Sequence, residues 1–195
     1  MRPSFAVVVV VLALGGCDNR NQAKVGPAIM PQAMGTSPAP AGVPRVVVMP
    51  GQAPTLPPGP AALAIDVDVP WAEIATLARG PDAPALLVGD HDVLRRFTLE
   101  DELDDGPSLR VTATGKGKFC LSPPRTQAAY CVEGSDRRHI SAAFVREAMA
   151  KALAEYGLTQ VRVVPGDGLL WADLVRTIDG LRTCCKVPIK VALVR

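Results

Sequence analysis

The carboxyl-terminal part of the chain alternates between strand-like and helix-like patterns of apolar residues. Residues 109–114 alternate apolar and polar side chains, as a half-buried strand does, and a Gly-Lys-Gly-Lys turn follows at 115–118. Short apolar runs at 119–121 and 130–132 predict two further strands. This region is therefore expected to open with a hairpin.

Beyond the hairpin the spacing of apolar residues becomes helical. Helices are predicted from 135 to 156 and from 170 to 181, with strands over 160–164 and 187–194. The first helix has apolar side chains at repeated fourth positions: Ile140, Phe144, Ala148, Ala152 and Tyr156. The alternation of strands and helices predicts an α+β fold, a two-layer sandwich with helices packed on one face of a mixed sheet.

The second predicted helix has an apolar face and a charged face. The apolar stripe, expected to be buried, consists of Trp171, Leu174, Val175, Ile178 and Leu181. Charges of alternating sign follow at three-residue steps: Asp173, Arg176, Asp179 and Arg182. Two interpretations of this charged strip stay open, a solvated face with weak ion pairs and a surface that recognises a partner.

The first 16 residues have the layout of a cleavable export signal. Arg2 supplies a positive charge, residues 5–14 are apolar, and two glycines precede Cys17. The apolar run is too short for a spanning helix, which needs roughly 20 residues. Leu14-Gly15-Gly16-Cys17 resembles the bacterial lipobox, which implies that Cys17 is acylated and anchors the protein to a membrane. The alternatives are a plain signal peptide with an incidental cysteine and an uncleaved anchor.

A proline-rich stretch follows the predicted anchor at Cys17. Ten prolines occur among the 34 residues from 27 to 60, and proline lacks the N–H that helices and paired strands use. Residues 17–60 are therefore expected to form a disordered tether. At about 3.1 Å per residue, such a tether reaches on the order of 100 Å when extended.

The charge balance of residues 61–195 argues against nucleic acid as a partner. Four of the 21 basic and one of the 19 acidic residues precede residue 61, which leaves 17 basic and 18 acidic residues. A nearly neutral domain with few aromatic residues gives no reason to expect nucleic acid as a partner.

Four cysteines remain after Cys17: Cys120, Cys131, Cys184 and Cys185. An even number in an exported domain indicates disulfides. Cys120 and Cys131 could each pair with one of the adjacent cysteines, one pair could form while the others stay thiols, or Cys184 and Cys185 could form a strained vicinal ring. Neither histidine lies near a cysteine and no Cys-x-x-Cys occurs, so no metal site and no cofactor are predicted.

Residues 161–182, followed by 191–194, resemble the carboxyl-terminal half of the periplasmic domains of the ExbD/TolR family of biopolymer transport proteins. The matching positions are Asp167 in a turn, Trp171 at the start of a helix where the family usually has Tyr, Asp179, and Val191 in the closing strand. A weaker likeness extends back to residue 109. Members of this family work with a proton-channel partner and use the proton-motive force to drive envelope machines.

The sequence departs from this family at its membrane anchor. Family members have a transmembrane helix whose Asp takes part in proton passage, whereas residues 5–14 contain no carboxylate. The resemblance therefore implies the extracytoplasmic interaction domain without proton transduction. Implied partners are an envelope protein or peptidoglycan, and a second copy in a homodimer. The implied location is the periplasmic side of the inner or outer membrane, with an accessory role in biopolymer transport.

Residues 64–74 echo the residues that lead into Trp171. Both stretches run from an apolar strand through an Asp-containing turn to Trp-Ala-acid-aliphatic, at Trp71 and at Trp171. This similarity predicts a partial repeat, with a strand–helix–strand half-module over 61–108 beside a complete domain over 109–195, and with both tryptophans in the core. Chance similarity is the alternative.

Motifs of the common enzyme classes are absent from the sequence. It contains no Gly-x-Ser-x-Gly and no phosphate-binding loop. Two hypotheses from different classes follow. The first is a non-catalytic envelope lipoprotein whose ExbD/TolR-like domain binds a protein or the cell wall. The second is a periplasmic thiol-redox protein that uses Cys184 and Cys185.

Overall fold

The computed structural model describes eleven stretches of the chain. They are residues 23–34, 36–79, 82–89, 92–94, 97–100, 109–115, 118–122, 130–133, 142–156, 160–184 and 187–193. The signal peptide, Cys17, Cys185 and the start of the helix predicted from 135 lie outside these residues. Three helices and mixed sheets give an α+β fold, as the alternating pattern predicts.

The amino-terminal part of the chain folds around a five-stranded mixed sheet. In chain order its elements are β1 (Ala23–Val25), β2 (Ala28–Met30), β3 (Thr36–Pro38), β4 (Arg45–Val48), β5 (Ala62–Ile65), α1 (Trp71–Leu77), β6 (Ala85–Val88) and β7 (Asp92–Leu94). The sheet order is β3-β7-β6-β5-β4, and β1 and β2 form a separate hairpin. Strands β4, β5 and β6 are parallel. Residues 23–94 are called the first half below.

The remaining elements build a six-stranded mixed sheet. They are β8 (Phe97–Glu100), β9 (Leu109–Ala113), β10 (Lys118–Ser122), β11 (Tyr130–Glu133), α2 (Ala142–Tyr156), β12 (Val161–Pro165), α3 (Trp171–Cys184) and β13 (Ile189–Ala192). The order is β11-β10-β9-β12-β13-β8, antiparallel from β11 to β9 and parallel from β9 to β8. The strands and helices lie close to their predicted positions. Residues 97–193 are called the second half below.

The segment expected to be a disordered tether, residues 17–60, contributes four strands where it is described. Strand β4 pairs with β5 in parallel, and Val48 is fully buried. Its prolines lie where a missing N–H does no harm, because Pro38 ends β3 and Pro44 precedes β4. Pro44 also accepts a hydrogen bond from the Ala62 N–H at 2.9 Å. The number of prolines favoured disorder, whereas their positions permit a sheet.

The sheets do not follow the boundaries expected at residues 61 and 108. Strand β8 falls within the predicted half-module but pairs in parallel with β13 of the second half. The first sheet instead takes β3 and β4 from the region before residue 61. The half-module is therefore larger at its amino-terminal end and smaller at its carboxyl-terminal end than the sequence predicts.

One hydrophobic core runs through both halves. Its buried members include Leu63 and Ile74 of the first half and Val163 and Leu174 of the second. The apolar stripe predicted for α3 lies in this core, since all five of its side chains are at most 1% exposed. The two halves are thus packed together by apolar burial, the main favourable term in folding.

Helix α2 packs on α3, and its buried face shares Ala148 and Ala152 with the predicted face. Val145, Met149 and Ala152 are buried, whereas Tyr156 is 44% exposed. The predicted stripe is therefore confirmed at Ala148 and Ala152 and wrong at Tyr156, which is not part of the core. Ile140 and the side chain of Phe144 lie outside the described part of the chain.

Candidate functional site

Two equivalent strand–turn–helix units meet at the junction of the two halves. In each unit a central parallel strand leads through a turn into a helix that begins with tryptophan, β5 into α1 and β12 into α3. Pro70 and Leu170 form an antiparallel bridge between the units. The sequence similarity between residues 64–74 and the residues that precede and include Trp171 thus corresponds to a structural similarity.

Reciprocal hydrogen bonds join the two helix starts. The Trp71 N–H donates to the Leu169 carbonyl oxygen at 2.7 Å, and the Trp171 N–H donates to the Val69 carbonyl oxygen at 2.8 Å. The first N–H groups of a helix have no partner within the helix. Each unit therefore supplies an acceptor to the helix start of the other unit.

The two tryptophan rings stack across this junction. Their centroids are 6.3 Å apart and their planes differ by 14°. Trp71 is 5% exposed and Trp171 is fully buried, so both side chains lie in the core, where the sequence suggested they would be. Offset stacking of this kind adds to the free energy gained by burying the rings.

Close backbone packing holds the β12–α3 turn against the β9–β10 turn. The Gly166 N–H donates to the Ala113 carbonyl oxygen at 2.6 Å, and the Gly115 N–H donates to the Asp167 carbonyl oxygen at 3.2 Å. A Cβ atom on Gly115 would overlap the Gly168 carbonyl group. The side chain of Asp167 is exposed at the tip of this turn.

An open groove lies between α1 and the β12–α3 turn. It encloses about 630 Å³ and is lined on one side by Trp71, Ala75 and Arg79 and on the other by Asp167 and Leu169. Its lining is mainly apolar, with one cationic and one anionic side chain. Arg79 Nη2 donates to the Leu193 carbonyl oxygen at 3.1 Å, which fixes the guanidinium beside the end of β13.

Neither interpretation of the charged strip on α3 describes it fully. The expected ion pairs form, Asp173 Oδ1 to Arg176 Nη1 at 3.3 Å and Asp179 Oδ1 to Arg182 Nη2 at 2.6 Å. However, Asp173 is fully buried and Asp179 is 8% exposed, so the strip is neither a solvated face nor an open partner surface. Periodicity identifies the faces of a helix but not the neighbours that cover them.

Cys120 and Cys131 form a disulfide across one antiparallel pair of strands. They lie directly opposite each other in β10 and β11, with Cα atoms 4.1 Å apart and a sequence separation of 11. Pairing of these residues with Cys184 and Cys185 is therefore wrong. A loop this short is worth about 3 kcal/mol in the chain-entropy model. The side chains of Cys184 and Cys185 lie outside the described part of the chain.

The sequence did not single out Arg79 or the groove beside it. Arg79 stands after an unremarkable helix end, and it becomes notable only when α1 is aligned with α3, where Asp179 holds the same position. Extending the alignment of the two Trp-Ala-acid-aliphatic segments by a few residues would have shown that Arg79 and Asp179 have opposite charges at the same position.

The described residues show neither a cluster of metal ligands nor a membrane-spanning helix. There, no three His, Cys, Asp or Glu side chains are grouped so that they could hold a metal ion. No described helix combines the length and apolar character needed to span a membrane. Comparison with family models, curated proteins and solved structures finds no match to this chain.

Proposed function

We propose that this protein is a non-catalytic envelope lipoprotein, acylated at Cys17, whose folded part binds another component of the envelope. The groove between α1 and the β12–α3 turn carries this proposal. A mainly apolar cleft of about 630 Å³ with one cationic and one anionic side chain suits the binding of a polypeptide or a cell-wall fragment. The ExbD/TolR-like pattern points to the same class of function.

The arrangement of the two units supports an ExbD/TolR-like interaction module. Asp167, Trp171, Asp179 and Val191 follow one another through turn, helix and closing strand of the second half. The first half supplies a second strand–turn–helix unit within the same chain. The pairing that family members achieve by dimerising is thus provided by one polypeptide in this proposal, in a module accessory to envelope transport.

In this proposal, a short connection between the anchor at Cys17 and β1 keeps the module next to the membrane. Ala23, the first described residue, follows Cys17 by six residues and begins β1. Six residues span at most about 20 Å, compared with the roughly 100 Å expected of a long tether. The binding partner is therefore a component located close to the membrane surface.

Metabolic labelling with radioactive palmitate tests the anchor. The wild-type chain and Cys185→Ser, the matched control, should incorporate label, and Cys17→Ser should not. Equal labelling of Cys17→Ser and wild type would refute the lipoprotein assignment.

Photo-crosslinking in cells tests the interaction. A photoreactive amino acid at Thr76, which lines the groove, should give an adduct with an envelope protein or with peptidoglycan fragments. The same probe at Arg146, exposed on α2, serves as the control. Adducts of the same kind and yield from both sites, or from neither, would contradict the proposal.

A further inference from the structure

A groove equivalent to the open one lies between α3 and the β5–α1 turn, and the chain itself fills it. Residues 28–34, called the crossing segment, run in extended form across the carboxyl ends of β5 and β6. The Val67 N–H donates to the Ile29 carbonyl oxygen and the Gly89 N–H to the Pro31 carbonyl oxygen, both at 2.9 Å. The Met34 N–H donates to Asp179 Oδ1 on α3 at 3.1 Å.

Corresponding residues line the filled groove and the open groove. When Trp71 is superposed in sequence on Trp171, Ala72 corresponds to Ala172, Arg79 to Asp179, and Asp167 to Val67. Ala172 and Asp179 are buried at 4% and 8% exposure. Their counterparts Ala72 and Arg79 are exposed. Within the described residues, the open groove therefore lacks a segment equivalent to residues 28–34.

The filled groove shows which backbone groups a bound segment uses. Ile29 lies at the turn after β5, where its carbonyl oxygen meets a backbone N–H and its own N–H donates to Asp66 Oδ2 at 2.8 Å. Buried Ala28 and Met30 pack against Ala62, Ala64 and Leu87 on the face of the first sheet that points away from α1, and half-buried Ala33 packs against the main core. The crossing segment thus shows that an extended chain of about seven residues can bind across strand ends of this kind through its backbone, and the mainly apolar lining of the open groove favours a ligand that is apolar in its middle.

The open groove and the filled groove differ in the sign of the charge at one end. Asp179 accepts the Met34 N–H, whereas the corresponding position holds the cationic guanidinium of Arg79, one nitrogen of which donates to the Leu193 carbonyl oxygen. Asp167 introduces a negative charge at the opposite end, where the filled groove has Val67. A ligand of the open groove that runs in the same direction must therefore carry an acceptor, best a carboxylate, at its carboxyl-terminal end.

We infer that the open groove binds an extended segment of a partner polypeptide, apolar in its middle and acidic at the end that meets Arg79. The segment lies across the carboxyl ends of β12 and β13 as the crossing segment lies across those of β5 and β6. This inference rests on the proposed interaction function and assigns its site, its ligand class and the direction of binding.

A peptide derived from the crossing segment provides the probe. The sequence Ala-Ile-Met-Pro-Gln-Ala-Glu copies residues 28–34 with Met34 changed to Glu, and a second peptide ends in Lys instead. Both carry a fluorophore, and their binding to the full chain is followed by fluorescence polarisation. The Glu peptide should bind at least about tenfold more tightly than the Lys peptide, a difference of about 1.4 kcal/mol.

Two substitutions locate the binding site. Ala72→Trp fills the groove with an indole ring and should weaken binding of the Glu peptide at least about tenfold. Ala150→Trp, at an exposed alanine on α2, is the matched control and should leave binding unchanged. Arg79→Glu should reverse the preference, so that the Lys peptide binds more tightly. Melting curves establish that each variant is folded, and Ala72→Trp tests the site even if Arg79→Glu unfolds.

Several results would overturn the inference. They are failure of both peptides to bind the wild-type chain, equal binding of the Glu and Lys peptides, and equal effects of Ala72→Trp and Ala150→Trp. If these occur while Thr76 still crosslinks an envelope component in cells, the peptide assignment fails and the interaction function stands. If crosslinking at Thr76 also fails, the proposed function falls with it.

Discussion

The two tryptophans illustrate what a single residue contributes to this molecule. Trp171 is fully buried, and its indole N–H has no acceptor among the described residues. Its contribution to stability therefore comes from packing and from stacking on Trp71 rather than from a hydrogen bond. The apolar stripe of α3 predicts this burial. It does not predict Trp71 as the neighbour, because a stripe identifies a buried face and not what covers it.

Replacing Trp171 by Ala should lower the free energy of unfolding more than replacing it by Phe. Truncation of a buried aromatic side chain to Ala typically costs about 3–5 kcal/mol, a large part of the roughly 5–15 kcal/mol that a domain has. Trp171→Ala should therefore lower the free energy of unfolding by about that amount in urea titrations. Trp171→Phe should lose clearly less, since no described hydrogen bond is removed. Equal losses for the two variants would show that packing is not the main contribution.

At the scale of elements, the sequence predicts the second half better than the first. Strands β9 to β13 and helix α3 have clean periodic patterns, and each lies within a few residues of its prediction. The first sheet was missed in part because β3 and β4 are short strands among prolines. Their stability comes from pairing with β7 and β5, and partners distant in sequence are not visible in a local pattern.

Strand β4 provides a test of whether residues 17–60 contribute strands to the fold or form a disordered tether. Val48 is fully buried, and its carbonyl oxygen accepts a hydrogen bond from the Asp66 N–H at 3.0 Å. Val48→Ala should lower the free energy of unfolding by about 1–2 kcal/mol, from lost apolar burial and the cavity left behind. Gln52→Ala, at an exposed position four residues later, should change it by less than about 0.5 kcal/mol. If neither variant changes the free energy of unfolding, residues 17–60 form a disordered tether and β4 is not part of the fold.

At the scale of the whole molecule, the chain combines two strand–turn–helix units in one core with unequal surfaces. Residues 28–34 close the groove between α3 and the β5–α1 turn, and the groove between α1 and the β12–α3 turn stays open beside Arg79. The short repeat around Trp71 and Trp171 predicts the pairing of units in outline. The open groove could not be predicted from the sequence, because it depends on which segment crosses which strand ends.

The contact between Trp71 and Trp171 joins the two halves, and Trp71 forms part of one wall of the groove. The chain has only two tryptophans, so a deuterated sample with protonated tryptophan has ring protons at these two residues alone. Nuclear Overhauser spectroscopy on this sample measures their proximity without any mutation. Stacked rings with centroids 6.3 Å apart predict cross-peaks between the two indoles. Two resolved indole spin systems without cross-peaks between them would contradict the junction and the groove built on it.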